Sequence, residues 1–252
     1  MNPSNAVKSY RFFEEPVDEW ATIKDKAGKT ILEKFYAEQE KYAFAFQMMA
    51  YISRLTVLKH AIKNASMDFQ QSANPITFSI EGNIGTGKST LVKHLQQYFN
   101  GSVDKQEKND AYINDAYIND AYNVIMTERS VFTDCYVFAQ MLYDDNKIED
   151  VEHAIYMKWF DEFIKELPPM AFIYIRADPA VSLERVTKRA REGESIIPLT
   201  YLENCHKYHE EWLLKNVPPH RLLIIDANED INASPALLLT WIKKIEDFVA
   251  SF

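Results

Sequence analysis

The residues best suited by type and spacing to do chemistry are Gly82-Asn83-Ile84-Gly85-Thr86-Gly87-Lys88-Ser89, which fit G-x-x-x-x-G-K-[ST] at every fixed position. The glycines let the backbone turn its N–H groups inward around phosphate oxygens. A helix beginning at the loop adds partial positive charge at the same point. Lys88 would reach the outer phosphates, and the Ser89 hydroxyl would ligate Mg2+. A plain glycine turn before a helix is the bland reading. The complete motif, set between an apolar strand and a helix, weighs against it. The expectation is a nucleoside triphosphate site with Mg2+; the motif does not say what the phosphate is for.

Two other clusters bear on that question. Glu128-Arg129-Ser130 directly follows the apolar run VIMTE. A strand-end carboxylate beside the loop could hold Mg2+ or orient its waters, and Arg129 would then face the acceptor. Alone, this pair would pass equally well for a surface ion pair. The second cluster is ERVTKRAREGE, with Arg185, Lys188, Arg189 and Arg191 in a chain of net charge −9. Arg185 and Arg189 are four apart and share a helix face. A mobile basic lid would surround a moving phosphoryl group with cations and exclude water. A solvated basic helix laced by Glu184 and Glu192 is the plainer reading.

These residues need a scaffold. Five short apolar or aromatic runs read as strands: 10–14, 76–81, 124–128, 171–176 and 221–226. Near-continuous apolar runs suit strands buried on both faces of a parallel sheet. Helical patterns lie between them at 31–64 (two helices), 89–99, 131–143, 148–167, 179–191, 199–215 and 235–252. Asp178-Pro179 and Ser234-Pro235 carry a capping residue before a proline, a helix-start signature. The alternation predicts an α/β fold. Residues 63–74 read as a polar linker. Residues 100–123 hold AYIND twice in tandem and read as a flexible low-complexity insertion, too short in period for a solenoid.

With 47% hydrophobic residues, the chain can bury a sizeable core as a single domain over 1–252. Its acidity, with a pI near 5.2, argues against wrapping duplex nucleic acid, where phosphate neutralisation dominates. Cys135 and Cys205 are isolated and form no disulfide or metal pattern. There is no apolar or Arg-rich leader and no run of about 18 apolar residues, so the expectation is a cytoplasmic protein with no membrane partner.

Taken together, the motifs resemble the deoxynucleoside kinase family. ERSVFTDCYVFAQMLY is similar to that family's ERS segment and substrate helix. ERVTKRAREGESIIPLTYLENCHKYHEEWL resembles its lid and the stretch that follows. IIDANEDI resembles its adenine loop. The resemblance implies a three-layer P-loop kinase fold, a five-stranded parallel sheet flanked by helices with a basic lid. It also implies phosphorylation of a deoxynucleoside 5′-hydroxyl, and commonly a homodimer through helices like 131–143 and 148–167.

The family order differs from the order here. In the family the phosphate loop comes first, and a Glu-Pro-Val segment and substrate helices follow. Here Glu15-Pro16-Val17 and ILEKFYAEQEKYAFAFQMMAYISRL precede the loop. The expectation is a segment-permuted chain whose strands lie in the order 10–14, 124–128, 76–81, 171–176, 221–226.

By this resemblance Glu15, rather than neighbouring Glu14, is the general base, and Arg129 holds the 5′-oxygen and incoming phosphoryl group. Arg185 assists transfer, with Arg189, Arg191, Thr90 and Asp230 on the ATP side. Gln47 would hydrogen-bond the nucleobase, Phe46 and Phe138 flank it, and Trp20 close the pocket. Tyr36 and Glu194 would hold the sugar 3′-hydroxyl. Taken singly, each aromatic residue would be read as core. Arg54, two helical turns from Gln47, and Asp134 resemble the pair of family members that prefer deoxycytidine or purine deoxynucleosides to thymidine. Cys135 departs from the arginine usual beside that aspartate. Two rival readings remain at this point: a nucleoside monophosphate kinase, which needs a further arginine site, and a catalytically dead nucleotide-binding module.

Overall fold

A computed structural model describes residues 8–68, 75–100, 122–189 and 197–252. Five strands form one wholly parallel sheet: β1 (Tyr10–Phe13), β2 (Ile76–Glu81), β3 (Val124–Glu128), β4 (Met170–Arg176) and β5 (Leu222–Asp226). Their order is β1-β3-β2-β4-β5, the order expected from the sequence. Phe12 pairs with Met126, Phe78 with Met126 on the other side, Ile80 with Ile173, and Ile173 with Leu223.

Side-chain alternation along the strands builds two cores. Phe78, Ile80, Met126, Ile173 and Ile175 face one way, onto α4 (Lys88–Asn100) through Leu91 and Leu95 and onto α10 (Pro235–Ala250) through Trp241 and Ile245. Ile125, Phe172 and Tyr174 face the other way. There they meet Leu58 and Ala61 of α3 (Gln39–Asp68) and Trp212 and Leu213 of α9 (Leu199–Asn216). The result is the three-layer arrangement expected of a P-loop kinase fold. Ser234 caps α10, accepting from the Leu237 N–H at 3.3 Å with Pro235 in the first turn.

Several boundaries differ from the sequence reading. The predicted 31–64 region is indeed two helices, α2 (Ile31–Ala37) and α3, but α3 continues to Asp68 through residues expected to be linker. Polar residues with adequate helix propensity do not end a helix by themselves. A short α1 (Val17–Thr22) follows Pro16 and was not foreseen. The expected 131–143 helix is present and runs without a break to Asp144, but its width changes: α5 (Val131–Thr133), a wider π-helical turn (Asp134–Ala139) and α6 (Gln140–Asp144). α7 (Asp150–Phe163) begins two residues late, and α8 (Pro179–Arg189) is described as far as Arg189, the last two predicted residues lying outside the described ones. The tandem AYIND segment lies outside the described residues. No helix among the described residues is long and apolar enough to cross a membrane.

Candidate active site

β1, β2 and β3 are neighbours and point the same way, so their C-terminal ends converge. The loops leaving them carry Glu15, the glycine loop and Glu128-Arg129. Ligands bind outside the carboxyl ends of strands in open α/β sheets, and here a cavity of about 410 Å3 opens at that place. Its walls include Glu15, Trp20, Tyr36, Phe46, Gln47, Arg54, Ile84, Gly85, Gly87, Lys88, Ser89, Thr90, Glu128, Arg129, Asp134, Phe138 and Arg189. Most of the residues singled out by sequence therefore line one space.

At the loop end, Gly82, Gly85 and Gly87 have φ of +144°, +82° and +94°, the region that favours glycine. Two of them are also needed for close approach. A Cβ on Gly82 would sit 2.5 Å from the Ile175 carbonyl oxygen, and one on Gly85 2.5 Å from that of Ser182 in α8. Asn83 fastens the loop to α9 through its side-chain N–H donated to the Leu202 carbonyl at 2.8 Å. Thr86 donates to the Asn83 carbonyl at 3.1 Å. Lys88 donates to the same carbonyl at 2.7 Å. Its ammonium is pushed down to about 7 by burial and then by Arg129, with Glu128 and Glu15 opposing. Ser89 donates to Glu128 Oε1 at 2.7 Å. A hydroxyl and a carboxylate oxygen this close, beside a phosphate loop, form a hard-oxygen pair of the kind Mg2+ takes. Burial and the nearby Glu15 raise the Glu128 carboxyl, with Lys88 opposing.

At the acceptor end, the two guanidinium groups of Arg54 and Arg129 grip Glu15. Arg129 Nη1 donates to both Glu15 oxygens, at 2.8 and 3.0 Å, and Arg54 Nη2 donates to Oε1. Burial raises the Glu15 carboxyl, but Arg129, Arg54 and Lys88 together overcome it and hold the group at about 2. Arg54 Nη1 donates to Asp134, so one guanidinium ties the two carboxylates together. Asp134 is pushed up to about 6, because its burial outweighs the pull of Arg54. Arg129 is also a backbone outlier, with φ +61°, and such strain at a functional site persists only when its surroundings enforce it.

The remaining walls are aromatic. Phe46 stacks on Phe35 with centroids 4.7 Å apart and meets Trp20 edge-on at 5.5 Å. Trp20 donates its indole N–H to Ser53 at 2.9 Å, and Arg54 lies over its ring. Phe138 carries the Arg129 guanidinium over its face at 5.2 Å. Gln47 is buried, and its side-chain carbonyl has no partner among the described residues, so an acceptor stands ready in the wall. The π-helical turn brings Asp134 and Phe138 to the cavity together, and such turns recur at functional sites.

Two expectations come out differently. Arg185 does not line the cavity; its guanidinium donates to the carbonyls of Ala227 at 2.8 Å and Asn228 at 3.2 Å. The loop after β5 lies over that part of α8 and captures it. Asp230 also stays away from the cavity, closing its own turn by accepting from the Asn232 N–H at 2.9 Å. Arg191 and Glu194 lie outside the described residues. The sequence reading missed Leu32, Phe35 and Tyr201, which complete the apolar wall and look like ordinary core positions. It also missed Glu81.

A parallel sheet with a glycine loop at one end of its cavity and a carboxylate–arginine cluster at the other defines a phosphate-loop phosphotransferase. The chain belongs to the deoxynucleoside kinase family, whose model matches residues 4–73 and 117–250. The unmatched stretch between them contains the phosphate loop. The chain is 26% identical to deoxycytidine kinase 2 of Gallus gallus and 27% identical to deoxycytidine kinase of Homo sapiens, over 94% of its length and 79% and 80% of theirs. It is 37% identical to mitochondrial thymidine kinase 2 of Homo sapiens over 37% of its length and 36% of that protein. The protein is thus a nucleoside kinase.

Proposed function

We propose that this enzyme transfers the terminal phosphate of ATP to the 5′-hydroxyl of a deoxynucleoside, preferring deoxycytidine or a purine deoxynucleoside to thymidine. The observation that carries the preference is Arg54, whose guanidinium joins Asp134 to Glu15 on a wall shared with Gln47. The resemblance of this pair to that of enzymes acting on those nucleosides supports it, as does the likeness to deoxycytidine kinases.

The chain's residues divide the work. Phe46, Phe138 and Trp20 would enclose the base between apolar faces, with Gln47 reading its edge. The loop N–H groups and Lys88 would grip the donor's phosphates. Ser89 and Glu128 would hold Mg2+, which when bound offsets the charge of the phosphates. Arg129 would face the charge developing on the transferring group. Glu15 orients the hydroxyl and accepts its proton. A carboxylate held at about 2 by two guanidiniums is a weak base, so orientation is its first task. A base that draws Arg54 toward Asp134 would loosen one of those grips and strengthen Glu15 as a proton acceptor. The acceptor end does not favour a nucleoside monophosphate: both of its described arginines are already bound to carboxylates.

We also read the chain as segment-permuted, because Glu15 precedes the loop in sequence yet meets it in the cavity. The test is transfer from Mg-ATP to each of the four deoxynucleosides, wild type beside Glu15→Gln. Transfer that collapses by roughly 10²- to 10⁴-fold in the variant supports the reading. A higher specificity constant for thymidine than for the others sinks the preference, and ATP binding without any transfer sinks the whole proposal.

A further inference from the structure

β2 ends in Glu81, fully buried immediately before the first glycine of the loop. Three hydroxyls donate to its carboxylate. Ser79 reaches Oε1 at 2.6 Å from the same strand. Ser130 reaches Oε1 at 2.6 Å, and Thr133 reaches Oε2. The last two belong to the turn that leaves β3, on either side of the start of α5. The same strand end also holds that turn by its backbone, since the Ile80 carbonyl accepts from the Arg129 N–H at 3.0 Å.

A buried carboxylate met only by neutral hydroxyls is a costly way to tie two segments together. An amide or an apolar contact would join them at lower cost. What the carboxylate adds is directional acceptance of two hydroxyls one residue and four residues after Arg129, with its charge in electrostatic reach of Arg129 and Lys88. Arg129 needs such help: its backbone is left-handed, and its guanidinium must stay on Glu15 and over Phe138.

We propose that Glu81 is a positioning residue for phosphoryl transfer, holding Ser130 and Thr133 so that Arg129 keeps its strained backbone and its aim into the cavity. This rests on the reading of the cavity as the transfer site, not on which nucleoside is preferred.

The test is Glu81→Gln, with Ser79→Ala and Thr133→Val beside it, assayed with whichever deoxynucleoside the wild type phosphorylates. Rates are normalised to the fraction of protein that binds nucleotide. Displacing an aligned group can cost roughly 10²-fold. The expected result is a kcat loss of about that size in Glu81→Gln, with KM for ATP and nucleoside unchanged. Thr133→Val should lower kcat and add little on top of Glu81→Gln; Ser79→Ala, which removes a contact within β2 and leaves both hydroxyls of the turn on the carboxylate, should cost less. A crystal structure of Glu81→Gln should show residue 129 leaving the left-handed region or its guanidinium leaving Glu15. Unchanged kcat overturns the proposal, as does a loss that tracks the folded fraction and raises both KM values together. If the wild type phosphorylates no deoxynucleoside, the functional reading fails instead, and the crystal structure alone decides whether Glu81 holds the turn.

Discussion

Replacing Arg54 by methionine removes the cation that, among the described residues, binds both Glu15 and Asp134. Arg54 is 7% exposed and Asp134 1%. Asp134 Oδ1 accepts from Arg54, while Oδ2 has no partner among the described residues. Breaking a buried ion pair by deleting one partner costs about 3–5 kcal/mol, because a charge is left uncompensated. Asp134 has an escape, since it can take up a proton. Its folded value of about 6 already lies above the ordinary 3.8. Its contribution to stability is therefore fully present below 3.8 and is lost as pH rises through 6. For the wild type this loss is on the order of 1 kcal/mol between about pH 5 and pH 7. Without Arg54, burial acts unopposed and raises the carboxyl further, so the loss over the same interval grows to on the order of 2–3 kcal/mol. Arg54→Met should thus be more destabilising near neutral pH than near pH 5, by on the order of 1 kcal/mol. Glu15 keeps Arg129 and stays ionised throughout, so it adds no slope. Urea denaturation followed by tryptophan fluorescence at the two pH values measures the difference. The same destabilisation at both, or a slope that survives Asp134→Asn in the Arg54→Met background, would refute the reasoning.

Three other outcomes follow from the geometry. Gly85→Ala places a Cβ 2.5 Å from the Ser182 oxygen and 2.8 Å from Val186 Cγ2 at φ +82°, so it should cost about 1–3 kcal/mol and weaken nucleotide binding; urea midpoints and a nucleotide titration check both. Glu128→Gln removes the carboxylate beside Ser89, so the Mg2+ concentration for half-maximal rate should rise roughly tenfold or more, while metal-free nucleotide binding holds; an unchanged Mg2+ requirement would place the ion elsewhere. Val151, Ile155 and Trp159 recur every four residues along α7 and are 68%, 42% and 46% exposed, a face suited to a second copy of the chain. Trp159→Glu should therefore give a monomer in equilibrium sedimentation where the wild type is a dimer, and a wild-type monomer would end that expectation.

The parts legible in the sequence were those set by local rules. Glycine at 82, 85 and 87 is dictated by positive φ, and the closing Lys-Ser by what a phosphate needs, so the loop could be read without knowing its neighbours. The strands were legible because central parallel strands must be apolar on both faces. What escaped was set by contacts between distant segments. The π-helical turn at 134–139 has the same apolar spacing as a regular helix, and only packing against α3 and α9 shows where the extra residue falls. Arg185 and Arg189 share a helix face, but nothing in that spacing tells which carbonyls the β5–α10 loop will bring to Arg185. Glu81 reads as a polar strand end until Ser130 and Thr133, about fifty residues downstream, are seen to donate to it.

The position of Glu15 ahead of the loop shows what such a site asks of a chain. Glu15, Gly82 and Arg129 follow the last residues of β1, β2 and β3, which lie side by side with Phe13 paired to Thr127 and Ile80 to Glu128. Parallel pairing fixes which end of each strand opens into the cavity, and register fixes how far along it each loop begins. Neither depends on the order in which the strands occur in sequence. β2 and β3 are sheet neighbours with α4 between them in sequence, and a strand–helix–strand crossover between parallel neighbours is the kind such sheets favour. Chain order is also cheap to vary in entropic terms, since doubling the length of a connecting loop costs about 0.6 kcal/mol. The carboxylate, the phosphate loop and the arginine can therefore meet from any chain order that preserves the sheet. What the chemistry constrains is the set of strand ends, and here the loops after β1, β2 and β3 open into one cavity.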